Sequence, residues 1–168
     1  MKKKILLMMA AALWAGEISL AAVPLDSAAL GGITSGMTQE DIESIYGPAD
    51  VLLPYELNRR EGGYVAKLGY GNTVVIWMGG ASASSTPKVE IIVVSANNGF
   101  ATPEGIHVGS TKADVIRAYG QPDFDYSNRG NTIGRGNPVK TLMYKTTEGR
   151  HRMAFMLKNG VVTEIRVS

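Results

Sequence analysis

Apolar residues fall into two patterns in this chain, and each pattern occurs twice. In the first, Ile42, Ile45 and Tyr46 are spaced i, i+3, i+4, and so are Val115, Ala118 and Tyr119. That spacing places three side chains on one face of a helix and predicts that the face is buried. Both ends of each helix are also written in sequence. Thr38 and Thr111 stand at N-cap positions, with Asp41 and Asp114 three residues later. A threonine oxygen there accepts an otherwise unpaired backbone N–H, while the aspartate reaches back to the cap from the positive first turn. Gly47 and Gly120 suit the left-handed position just past a helix end, and Pro48 or Pro122 keeps the helix from resuming.

The second pattern is strand-like. Leu68–Tyr70, Val74–Met78 and Val89–Ser95 follow the first helix, and Leu142–Tyr144, Met153–Leu157 and Val161–Ser168 follow the second. Before the first helix, residues 26–31 predict a lead-in helical turn with Asp26 or Ser27 as cap and Gly31 as stop.

The recurrence is literal. GITSGMTQEDIESIYGPAD, Gly32 to Asp50, and GIHVGSTKADVIRAYGQPD, Gly105 to Asp123, share eight of nineteen positions at a constant offset of 73. Unrelated segments would share about one, so the chain is read as internally duplicated. The last strands match at the same offset, Val89 on Val162, Ile92 on Ile165 and Val94 on Val167. The expected organisation is α+β in two tandem repeats, residues 22–98 and 99–168, joined through the turn-rich SANNGF and ATPEG segments.

Duplication permits an internal comparison. In VVTEIRVS, Glu164 and Arg166 alternate with Ile165 and Val167, so the charges face outward. The offset then turns Ile92 and Val94 inward and leaves Val89, Ile91 and Val93 on the face that carries charge in the other copy. Val75 and Trp77 of the preceding strand join them. A second apolar face of this kind marks a contact, either with another part of the chain or with an outside partner, a second copy included.

The N-terminus changes the picture of compartment. MKKK followed by ILLMMAAALWAG, with Ser19-Leu20-Ala21 at the cleavage positions, predicts a signal peptide over residues 1–21 and export to the periplasm or exterior. The apolar run is too short for a comfortable span, so no stable membrane anchor is expected. Without residues 1–21 the chain carries fourteen basic and fourteen acidic side chains, divided as four and eight over 22–98 and ten and six over 99–168. Such a balance argues against nucleic-acid binding. With no cysteine, an exported chain must be held by packing alone.

Chemistry is sparse. No GxSxG, HExxH, Walker loop or cysteine nucleophile occurs, and the two histidines, His107 and His151, lie in unrelated turns. Asp123 and Asp125 read as a turn carboxylate and a surface one. The glycine-rich basic loop Ser127–Pro138 precedes a strand, not the helix that a phosphate cradle requires. No enzyme activity, catalytic residue, cofactor or metal is expected.

The GIxxGMTxxD unit, followed by an aliphatic pair and YGxP, resembles the helical motif of the outer-membrane assembly lipoproteins called SmpA, OmlA or BamE. Two copies in tandem resemble the β-lactamase inhibitory protein. The resemblance implies a short helical hairpin packed on an antiparallel sheet in each repeat. It also implies a concave sheet surface that grips a partner through aromatic residues, here Trp77, Tyr70 and Tyr144. The absence of cysteine excludes both the lipid attachment of the first family and the disulfides of the second.

The expected function is an exported, non-catalytic protein-binding module of the cell envelope or exterior, with Trp77, Val75, Val89, Ile91, Val93, Tyr70 and Tyr144 at the contact. The alternatives are an outer-membrane assembly factor and an inhibitor of a secreted or periplasmic enzyme. N-terminal sequencing of the exported protein should place its first residue near Ala22; recovery of Met1–Leu20 in a membrane fraction would overturn the signal-peptide assignment.

Overall fold

The computed structural model describes residues 23–24, 27–59, 62–128 and 139–168. The expected signal segment, the Asp26 cap position and residues 129–138 of the glycine-rich loop lie outside the described residues. In chain order the elements are β1 (Ala29–Leu30), β2 (Ile33–Thr34), α1 (Gln39–Tyr46), β3 (Asp50–Leu57), β4 (Tyr64–Tyr70), β5 (Val74–Gly80) and β6 (Lys88–Val94). They continue with α2 (Lys112–Tyr119), β7 (Phe124–Asn128), β8 (Val139–Lys145), β9 (Arg152–Lys158) and β10 (Val161–Val167).

The expected pair of helix-plus-sheet repeats is corrected on two counts. All eight longer strands form one antiparallel sheet in the order β3-β4-β5-β6-β10-β9-β8-β7. The join is β6 to β10, with Val94 opposite Ile165, Val93 opposite Arg166 and Ile92 opposite Val167. Two separate sheets would each expose a long unpaired edge of backbone donors and acceptors, and pairing the last strands of both halves removes both edges at once.

Among the described residues there is also no helical hairpin in either half. Of the lead-in helical turn expected over residues 26–31, the described residues keep only a 3₁₀-type bond from the Ser27 N–H to the Pro24 carbonyl at 3.0 Å, and Ala29 and Leu30 instead pair with Thr34 and Ile33. Gly31 and Gly32 make that reversal at φ 59° and 79°. A side chain at Gly31 would need the left-handed conformation and would place its Cβ 2.5 Å from the Phe100 ring. Before α2, Thr102 and Ile106 close only a tight turn, the Thr102 N–H donating to the Ile106 carbonyl at 2.8 Å and the Ile106 N–H to Thr102 Oγ1 at 3.1 Å.

Each helix is held as its sequence specifies. Thr38 Oγ1 accepts from the Asp41 N–H at 3.2 Å, and the Thr38 N–H donates to the Asp41 carboxylate at 2.8 Å; Thr111 and Asp114 repeat the arrangement at 3.2 and 2.9 Å. Gly47 and Gly120 close the C-termini at φ 78° and 73°. Burial of the helix faces is uneven. Ile42, Val115 and Tyr119 are buried, but Ile45, expected inside, is 52 % exposed. Tyr46 is half-covered, stacked on Phe100 at 4.8 Å between centroids, with its hydroxyl donating to the Gly31 carbonyl.

The core lies between the helices and one face of the sheet. Leu68, Ile76, Ile92, Val167, Met153 and Tyr144 follow one another in register across six strands, and all are buried. Leu30 and Ile33 of the small hairpin join the same core.

Tyr70 and Tyr144, expected at the contact surface, belong to this inner side. The Tyr144 hydroxyl donates to the carbonyl of Gly120 at 3.1 Å, and the Tyr70 hydroxyl to the carbonyl of Gly47 at 3.0 Å. Each ties the end of a helix to the sheet. Burial, aided by the nearby charges of Asp125 and Asp123, pushes the Tyr144 phenol up to about 12. The neutral form is thus favoured in the fold, so this stability is complete below the ordinary value of about 10 and is lost as pH rises through about 12.

Replacing Thr38 or Thr111 by alanine should each cost about 1 kcal/mol in urea melts near neutral pH. Hydrogen bonds from Thr111 and Arg117 hold the Asp114 carboxyl down at about 2 against an ordinary 3.8. The cap contribution is therefore complete above pH 4 or so and declines as pH falls toward about 2, and the Thr111→Ala deficit should shrink across that window. Tyr144→Phe should cost about 1 kcal/mol and reduce, without abolishing, the alkaline loss of stability between about pH 10 and 12, because burial raises Tyr119, Tyr70 and Tyr46 as well. An unchanged alkaline melt would show that Tyr144 does not contribute to that loss.

Candidate protein-contact face

The opposite face of the sheet is built by the residues that alternate with the core row. Lys67, Trp77 and Ile91 are partners across β4, β5 and β6, and beside them Gly69, Val75, Val93, Arg166, Ala154, Met143 and Phe124 run in register from β4 to β7. The described helices and the β1–β2 hairpin bury their apolar side chains in the core on the other side. Val75, Trp77, Ile91 and Val93 remain half-exposed.

Four of the sequence-predicted contact residues are thus brought together: Val75, Trp77, Ile91 and Val93. Val89 is not among them. The β5–β6 register shifts between Trp77 and Met78, so that Trp77 faces Ile91 while Met78 faces Val89. This bulge takes up Glu90 as an extra residue and turns Val89 into the core, where it is 2 % exposed. Glu90 in turn occupies the outer surface, its carboxylate lying where a side chain on Gly79 would be; a Cβ there would fall 2.0 Å from Glu90 Oε1.

The face continues across the second half, which the sequence comparison represents only by Glu164 and Arg166. Met143 and Met156 are half-buried there, and Phe124 and Tyr126 are 46 % and 43 % exposed. In the first half Leu52 lies over Gly69, where an added Cβ would sit 2.8 Å from Leu52 Cδ1. Alternation in LMYK and MAFM could have located Met143 and Met156, whereas β7, only five residues long and containing Asp125, read only as a possible strand with Asp123 and Asp125 to one side.

Two cations rest on aromatic rings of this face. Lys67 Nζ lies 5.1 Å from the Trp77 ring centroid, and Lys145 Nζ lies 5.1 Å from that of Phe124. Among the described residues, Lys67, Lys145, Arg152 and Arg166 have no carboxylate within salt-bridge distance; the ion pairs join Lys112 and Lys140 to Asp125 and Arg117 to Asp114.

The remaining polar candidates are dispersed. His107 lines a cleft of about 450 Å³ with Glu104, Ser110, Asp114 and Arg117, and its Nδ1 is 2.9 Å from the Val108 carbonyl. His151 lines a different cleft, of about 590 Å³, with Thr34, Thr147 and Glu148. The two histidines therefore share no site. Asp123 accepts from the Lys145 N–H at 2.7 Å, and Asp125 sits between Lys112 and Lys140 at 3.2 and 2.9 Å. Among the described residues no group of three His, Asp or Glu is close enough to hold a metal ion, and no helix is long and apolar enough to cross a membrane.

No protein-family model matches this chain, and no curated protein matches it.

Proposed function

We propose that this chain is an exported, non-catalytic protein-binding module of the cell envelope or exterior, which acts through the outer face of its sheet. One observation carries the reading. The core is filled on the helical side, yet Val75, Trp77, Ile91 and Val93, none of them fully covered, form a contiguous apolar patch on the other. Keeping four large apolar side chains against water costs solubility, and a soluble chain has no folding need for them there. Trp77 is the natural anchor, since an aromatic ring offers large contact area for little lost freedom. Export is supported by the charged and apolar leader of residues 1–21.

The register dictates how to test this without unfolding the chain. Arginine at Val93 would face Arg166 directly, a like-charge pair across strands. Threonine suits a strand and carries no charge. Val75→Thr, Ile91→Thr and Val93→Thr together should leave the thermal melt within a few degrees of wild type. They should also abolish capture of an identified binding protein from envelope extract. Equal capture by the triple variant would overturn the reading, and so would loss of fold, which would show the patch to be interior.

A further inference from the structure

The two central rows of the outer face are unequal in charge. Among their members are the cations Lys67, Arg166, Arg152 and Lys145, whereas Asp50, at the β3 edge, is the one acidic residue in register with them. Glu164, Glu56 and Glu90 belong to the flanking rows, where Lys88 lies in register with Glu56 through Val65 and Gly79, and Glu90 is folded over Gly79. Lys67 and Lys145 are spread on the rings of Trp77 and Phe124, and Arg166 sits mid-sheet, opposite Val93. Cations so placed lie on apolar ground, where a docking carboxylate meets a fixed charge in reduced dielectric.

Resting on the contact-face reading above, we propose that the partner is acidic: a protein surface with carboxylates set around an apolar centre. Its apolar part would cover Val75, Trp77, Ile91 and Val93, and its carboxylates would reach Lys67, Arg166 and Lys145. Nucleic acid fits less well, because four cations interrupted by valine, isoleucine and methionine do not track a phosphate backbone. An anionic membrane also fits less well, because Trp77 lies half-buried within a sheet and not on a projecting amphipathic element.

Binding of four probes to the signal-free chain decides the matter. These are a short soluble peptide bearing Glu and Phe, its Gln and Phe counterpart, single-stranded DNA, and phosphatidylglycerol vesicles. The acidic peptide should bind about tenfold more tightly than the Gln form at low salt, with the difference collapsing near 1 M salt, where the Debye length is about 3 Å. Lys67→Gln with Lys145→Gln should remove that preference, and Lys67→Glu with Arg166→Glu should reverse it toward a Lys and Phe peptide, both with unchanged melts. Equal affinity for the Glu and Gln peptides, binding of neither, or tighter binding of DNA or vesicles would overturn the proposal. The triple threonine variant separates the two ideas: if it loses both peptides while wild type binds them alike, the contact face stands and the acidic partner falls.

Discussion

The pairing of β6 with β10 is the interaction on which the rest of this structure depends. It sets Ile92 against Val167 and Val94 against Ile165, which joins the core of one half to the core of the other. It equally sets Val93 against Arg166, and so fixes what stands at the middle of the outer face. A slip of one residue would exchange the two faces of the joined strands, burying Arg166 and exposing Ile165. The cost of a buried unpaired guanidinium makes the register strongly determined, and with it the neighbours of every residue on the candidate surface.

Local chemistry was legible and assembly was not. Thr38, Asp41, Gly47 and their counterparts Thr111, Asp114 and Gly120 specify helix ends through bonds within a few residues, and they are found as written. The six strands with clear apolar runs are also present: four run longer than read, Val89–Ser95 is shifted one residue back to Lys88–Val94, and Val161–Ser168 ends one residue earlier at Val167. Beyond that range, sequence pattern loses its hold. β3 was missed because DVLLPYEL is an edge strand, mostly exposed and carrying Pro54, so it shows neither alternation nor a continuous apolar run. The merger of two halves into one sheet depends on which edges meet, a question that periodicity within a strand does not address.

The candidate surface shows the same division. Ile91, Val93, Val75 and Trp77 followed from strict alternation and lie where alternation puts them. Val89 did not, because the bulge at Glu90 breaks the period of two, and no residue type announces it. Tyr70 and Tyr144 were assigned outward by resemblance alone. Their own alternation, in step with Leu68 and Leu142, already placed them on the core side, where their hydroxyls find the carbonyls of Gly47 and Gly120 just past each helix end.

An eight-stranded sheet with an apolar outer face would ordinarily invite pairing through its edges, yet both edges are poor templates. β3 carries Pro54, which lacks a donor, and its register shifts twice, between Val51 and Leu53 and between Leu53 and Glu56. β7 has only five residues, and short edge strands offer few hydrogen bonds to a newcomer. Because edge growth is blunted at both ends, the proposed partner would meet this sheet face-on and not along an edge. In the proposed contact, specificity would come from side chains whose spacing the sheet already holds: Trp77 beneath Lys67, Phe124 beneath Lys145, and Arg166 between them.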